Sequence, residues 1–180
     1  MPGRVCPWWL AYSFDNPVRR LFHNPRKILS PYLQTGMTAL DVGAGMGYFS
    51  IGMAKLVGEP GRVIAVDLQA KMLEILERRA KRAGVADRIR TRLCSSDRLG
   101  IEEPVDFVLT FWMVHEVRDR SRLMTQIRTC LKPGGRYLLV EPSGHVPLHR
   151  FQAEIESASA AGFRLDDRPR VGLSRAALFI

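Results

Sequence analysis

Apolar positions along this chain fall into two rhythms. Short apolar runs of five to seven residues read as strands, and runs spaced every three to four positions read as helices. From Thr38 the two alternate. Thr38–Val42, Arg62–Val66, Ile89–Cys94, Val105–Phe111 and Arg136–Glu141 are expected strands. Tyr48–Val57, Gln69–Ala83, Ser121–Leu131 and Leu148–Ala161 are expected helices. Gly58, Gly84 and Gly162 close three of them, and Lys132-Pro133-Gly134-Gly135 stops the fourth. A further helix is allowed between the third and fourth strands. Phe163–Arg168 and Arg175–Ile180 complete the set of strands.

Strands alternating with helices imply a mostly parallel sheet with helices on both faces. About six residues separate the last two strands, too few for a parallel crossover, so these two pair antiparallel. The expectation is an α/β, doubly wound, seven-stranded sheet with an antiparallel last strand.

The segment before Thr38 is different. Pro7, Pro17, Pro25 and Pro31 break it, and Trp8, Trp9, Tyr12, Phe14, Phe22 and Tyr32 crowd it. Proline removes backbone donors, so only short helical turns are expected, such as Pro17–Phe22 and Pro25–Leu29 capped by Asn24. Residues 1–37 read as a cover on a core formed by 38–180, within one domain of 180 residues. The cover is either a lid over a hydrophobic ligand or a segment held on the sheet edge by aromatic burial.

Composition changes the picture little. A hydrophobic share of 46% suits a folded globule, and no apolar run is long enough to span a bilayer. Cys6, Cys94 and Cys130 form no C-x-x-C pair; neither a disulfide framework nor a metal site is expected. The N-terminal stretch lacks the form of a secretory signal, so the cytoplasm is expected. Net charge is +9, with 22 Arg among the 27 basic residues. Arg78, Arg79, Lys81, Arg82, Arg88, Arg90, Arg92 and Arg98 gather around the second core helix and third strand. Such a stripe suits phosphates, but a solvated face is the simpler reading.

The sharpest chemistry is Asp41-Val42-Gly43-Ala44-Gly45-Met46-Gly47, between an expected strand and helix. Glycines there allow positive φ and a close approach of ligand to backbone. Asp67 ends the next strand, 20 residues after Gly47, where a carboxylate is placed to accept from ribose hydroxyls. The G-x-G-x-G spacing and the acid beside it disfavour a pyrophosphate and favour a cationic nucleoside.

These residues resemble the class I S-adenosylmethionine-dependent methyltransferases, a Rossmann-like superfamily. Val105-Asp106-Phe107-Val108, Val114-His115-Glu116-Val117 and Leu131-Lys132-Pro133-Gly134-Gly135-Arg136 are similar to later family segments. The last two motifs resemble its small-molecule branch. The resemblance runs from Thr38 to Ile180. It implies S-adenosylmethionine as cofactor and S-adenosylhomocysteine as product. By position it puts Gly43, Ala44, Gly45 and Gly47 under the methionine portion, Asp41 near its amine, Asp67 on the ribose and Leu68 against the adenine. The resemblance puts the residue that reads the adenine amine within Ser95-Ser96-Asp97, with Ser96 and Asp97 the expected contacts and Ser95 the alternative to Asp97. Phe111 and Trp112 line the pocket or pack the core.

The sulfonium donor is already activated, so the protein mainly orients the acceptor and excludes water. A base is needed only if the acceptor loses a proton. His115 and Glu141, at strand ends, and Tyr12, in the cover, are the candidate catalytic residues; Glu116, His145 and His23 stand behind them. The expected partner is a small, partly apolar methyl acceptor, with a nucleic acid or protein acceptor held on the arginine-rich face the disfavoured alternative. A binding module that holds the cofactor without turnover is a further reading.

Overall fold

The computed structural model describes residues 22–180. The expected Pro17–Phe22 turn lies almost wholly outside them. Helix α1 (Pro25–Leu29) opens the described chain. Asn24 caps it, its side-chain oxygen accepting from the Arg26 and Lys27 N–H groups, and Pro25 fills a first-turn position that needs no donor.

The core elements follow the expected order. They are β1 (Thr38–Val42), α2 (Tyr48–Val57), β2 (Arg62–Asp67), α3 (Ala70–Arg82), β3 (Ile89–Leu93), β4 (Val105–Phe111) and α4 (Arg120–Cys130). Then come β5 (Leu131–Pro142), α5 (Leu148–Ala160), β6 (Leu165–Asp167) and β7 (Ser174–Phe179). Short 3-10 turns sit at Ala86–Arg88 and Val114–Glu116.

The seven strands form one sheet in the order β3-β2-β1-β4-β5-β7-β6. The first five run parallel, and β7 pairs antiparallel with both β5 and β6. The expected fold class is therefore met. Strand alternation divides the core into two layers. Ala39, Val63, Phe107 and Leu138 face α1, α2 and α3 through Leu29, Met53 and Leu76. Leu40, Ile64, Val108 and Leu139 face α4 and α5 through Met124, Ile127, Phe151 and Ile155.

Two expectations change. The residues between β3 and β4 form no helix; Leu99 and Ile101 cover that part of the sheet from a loop. The Lys132–Gly135 text does not separate helix from strand, because β5 already begins at Leu131. Leu131 pairs with Val105, the next pair is Phe107 with Arg136, and the four residues between bulge out. Asp106 holds that bulge: Lys132 Nζ lies 2.8 Å from its Oδ1, while the Thr38 N–H donates to its Oδ2 at 2.8 Å.

Strand order reverses at β1, which lies between β2 and β4. Ligands of open α/β sheets bind beyond the carboxyl ends of strands at such a point. There the chain places Gly43 after β1, Leu68 after β2 and Trp112 after β4.

Candidate functional site

The glycine loop departs from β1 through two backbone bonds: the Gly43 and Ala44 N–H groups both donate to the Val66 carbonyl, at 2.9 and 3.0 Å. Gly43, Gly45 and Gly47 have φ of 74°, 53° and 83°, a region costly for side-chain-bearing residues. Their surroundings differ. A Cβ on Gly47 would lie 2.5 Å from Leu76 Cγ, and one on Gly43 would lie 2.9 Å from Met113 Cγ. A Cβ on Gly45 would meet nothing within 4 Å. Gly43 and Gly47 thus let elements pack, while Gly45 keeps a face of the backbone open to the cavity.

Two buried carboxylates flank the loop. Asp41 is 2% exposed, and the Ser50 hydroxyl on α2 donates to its Oδ2 at 2.6 Å. Asp67 accepts from the Gly45 N–H through Oδ2 at 2.8 Å and from the Gln69 N–H through Oδ1 at 2.9 Å. Burial raises the Asp67 carboxyl above its ordinary value, and the Gln69, Gly45 and Leu68 amides oppose that. A carboxylate offers about four acceptor positions, so two backbone donors leave Asp67 capacity for ligand hydroxyls.

Across the crevice stands a histidine–glutamate pair. Glu141 is fully buried near the end of β5. Its Oε2 lies 2.6 Å from His115 Nδ1, and its Oε1 accepts from the His115 backbone N–H at 3.2 Å. The turn Val114–Glu116 that carries His115 is therefore tied to β5 by both oxygens of one carboxylate. Burial works against charging the imidazole, but the Glu141 hydrogen bond and charge, with Glu116 and Glu154 behind them, outweigh it and raise its proton affinity. Nδ1–H donating to Glu141 leaves Nε2 as the basic nitrogen. The His145 ring stands edge-on, 5.1 Å from that of His115.

One cavity of about 1050 Å³ joins these parts. Its lining includes Asp41, Gly43, Ala44, Gly45, Asp67, Leu68, Ser95, Ser96, Asp97, Phe111, Trp112 and His115. Ligand pockets commonly span about 300–1,000 Å³, so this space suits a cofactor together with an acceptor. Leu68, 40% exposed, offers an apolar flank. Asp97 is exposed; the Ser95 hydroxyl donates to it at 2.7 Å, and Arg122 lies 3.9 Å away. That hydrogen bond, more than the arginines, holds its carboxyl below the ordinary range. Trp112 adopts φ 61°, rare for a bulky residue, and its indole N–H donates to Ser174 Oγ at 3.0 Å. Phe111 is turned more toward the core, its ring centroid 4.2 Å from that of Phe49.

The remaining expected site residues fall elsewhere. Tyr12 lies outside the described residues, as do Cys6, Trp8, Trp9 and Phe14. Gly47 packs beneath the loop. Glu141 lies behind His115 and contributes nothing to the cavity lining. His23 is buried against Phe111 and Trp112, with Nε2 2.7 Å from the Gly172 carbonyl oxygen. Sequence reasoning missed Ser50, Met113 and Glu154. Glu154 had a signal: it interrupts the buried spacing Phe151, Ile155, Ala158.

The chain also matches a family model described as a methyltransferase domain, over residues 39–135. The chain belongs to this family. The match takes in the glycine loop, Asp67 and His115, and stops before Glu141. Among curated proteins, the domain is 32% identical over 110 residues to a ubiquinone/menaquinone biosynthesis C-methyltransferase of Cellvibrio japonicus, covering 61% of this chain and 44% of that protein. It is 30% identical over 113 residues to a demethylmenaquinone methyltransferase of Lactiplantibacillus plantarum, covering 62% and 48%. The chain thus spans less than half the length of these relatives. A solved SAM-dependent methyltransferase from Aquifex aeolicus superposes with a TM-score of 0.85 at 22% identity, covering 97% of this chain and 98% of that one. That likeness bears out the methyltransferase-type fold. No helix among the described residues is long and apolar enough to cross a membrane.

Proposed function

We propose that this methyltransferase domain transfers a methyl group from S-adenosylmethionine to a small, partly apolar molecule that gives up a proton in the reaction. The observation that carries this is the shared cavity: the glycine loop with Asp67 and the histidine paired to Glu141 line the same space. The residues fit the cofactor. Gly45 leaves its backbone face open, Asp67 has capacity for both ribose hydroxyls, and Asp41 supplies negative charge to an ammonium. Leu68 flanks the adenine, and Ser96 and Asp97 read its edge.

When bound, S-adenosylmethionine supplies a methyl group on a positively charged sulfur, ready for in-line displacement. The chain's task is orientation, exclusion of water and removal of a proton. Nε2 of His115 takes the proton from the acceptor. Glu141 fixes the tautomer through Nδ1–H and pairs with the imidazolium that results. Apolar side chains around the cavity, including Met113, Val117 and Leu123, favour an apolar acceptor. The names of the two curated relatives both refer to quinones, which supports a ring-bearing acceptor with an ionisable hydroxyl.

Titration calorimetry with S-adenosylmethionine and with NAD tests the cofactor. Binding of the first and not the second is expected; binding of NAD alone overturns the reading. Turnover is tested with methyl-labelled cofactor and reduced quinone analogues. Tight cofactor binding with no labelled product across small-molecule acceptors would favour a binding module.

A further inference from the structure

Helix α5 buries Phe151, Ile155 and Ala158, positions that follow helical spacing. Glu154 falls in the same stripe and is 0% exposed. The layer it enters contains Tyr137 and Leu139 of β5. Strand alternation puts Glu141 on that same face. Two buried glutamates therefore share the apolar layer between β5 and α5.

They differ in how they are satisfied. Glu141 accepts from the His115 backbone N–H and is bonded to its ring. Neither carboxylate oxygen of Glu154 has a hydrogen-bond partner among the described residues. Arg120, at the start of α4, brings Nη1 to 3.8 Å from Oε1, beyond hydrogen-bond range. A buried carboxylate so placed is costly to ionise.

We propose that Glu154 is a positioning residue for the proton-accepting step: its charge, acting beside Glu141, sets how readily His115 takes a proton from the acceptor. This rests on reading His115 as the base. Before the transfer His115 stands neutral, with Nδ1–H on Glu141 and its lone pair on Nε2. The acceptor's O–H or C–H bond then breaks, its electron pair stays on the acceptor, and an N–H bond forms at Nε2. The new imidazolium is stabilised where Glu154 is ionised and less so where Glu154 keeps its proton, so the charge on Glu154 weights the step. Coupling of this kind is reciprocal.

The surrounding charges agree. Burial first, and then the Glu141 charge, push the Glu154 carboxyl up to about 7; Arg120, His115 and Arg150 pull the other way. Glu154 in turn helps to raise His115. The buried Tyr137 hydroxyl, 2.9 Å from that of Thr110, also feels both glutamates.

The test is an NMR titration of the full chain without cofactor or acceptor, following the His115 imidazole and the Glu154 side-chain carboxyl. The chain has four histidines, and the His115 signal is assigned by its loss in His115→Gln. Glu154→Gln should move the His115 midpoint to lower pH, which loss of a purely structural contact would not do. Arg120→Gln, at a partly exposed position, should move the Glu154 midpoint above that of the wild type. An unchanged His115 midpoint in Glu154→Gln overturns the proposal. So does a wild-type Glu154 that titrates in the ordinary glutamate range, a result available even if the Gln variant fails to fold. A chain that fails to bind S-adenosylmethionine would refute the proposed function while leaving these curves readable.

Discussion

At the scale of single residues, the site rests on carboxylates whose partners define their roles. Asp67 is held by two backbone donors and keeps acceptor capacity for a ligand. Asp67→Ala should weaken S-adenosylmethionine binding by about 1–3 kcal/mol, the cost of losing a charged hydrogen-bond partner. Calorimetry on the variant reads this directly, and an unaltered affinity removes the ribose assignment. His115→Gln separates binding from chemistry. It should lower kcat by about 10²–10⁴-fold, the usual contribution of a positioned base, while cofactor affinity stays near wild type. Asp67 was legible because a strand-end acid after a glycine loop is a sequence pattern. The bond between His115 and Glu141 was not, because 26 residues separate them and only the pairing of β4 with β5 brings them together. Glu154 was missed for another reason: helical spacing with Phe151, Ile155 and Ala158 can place it on the buried stripe, yet nothing local says which charge lies opposite.

At the scale of elements, β1, α2 and β4 were legible to the residue, because each is a strongly patterned run between clear breakers. The β3–β4 connection was allowed a helix, yet Leu99 and Ile101 provide its cover from irregular chain. The arginine stripe also changes once elements are placed. Arg88 lies near Glu59 and Asp87, Arg90 pairs with Glu103, Arg98 with Glu102, and Arg92 donates to the Gly100 carbonyl. Much of that face is thus engaged within the chain, as a solvated surface would be. The glycine loop gives this scale its prediction. Gly47→Ala places a methyl group against Leu76 at positive φ and should cost about 1–3 kcal/mol of stability. Gly45→Ala meets open space, so its stability loss should be smaller, near the roughly 1 kcal/mol of a left-handed side-chain-bearing residue. Its methyl group enters the cavity, so its effect should fall on cofactor affinity. Thermal melts and calorimetry on both variants give a crossed pattern if the loop works this way. Equal effects of both variants on stability and on binding would contradict it.

At the scale of the whole molecule, the buried cluster between sheet and helix makes stability depend on pH. Folded Glu154 keeps its proton up to about 7, against an ordinary glutamate value of 4.5. Between those values the native state binds more protons than the unfolded chain. Stability therefore falls as pH rises through that window. Below it both states are protonated and no penalty exists; above it both are ionised and the penalty is complete. At about 1.4 kcal/mol per unit, the complete penalty is on the order of 3 kcal/mol. His115 works in the same direction: its raised proton affinity stabilises the fold at low pH and is lost as the ring deprotonates. Other groups contribute to the absolute curve, so the informative quantity is the difference between wild type and Glu154→Gln. Glutamine cannot ionise, so the variant lacks the Glu154 slope. The difference should drift in the variant's favour between pH 5 and pH 8, by on the order of 5–10 °C in Tm for a chain of this size. Parallel melting curves across that range would show that Glu154 ionises as freely in the folded protein as in the unfolded chain. The partly exposed Arg120 beside it would then suffice to hold the charge, and the buried layer between β5 and α5 would hold two negative charges at neutral pH.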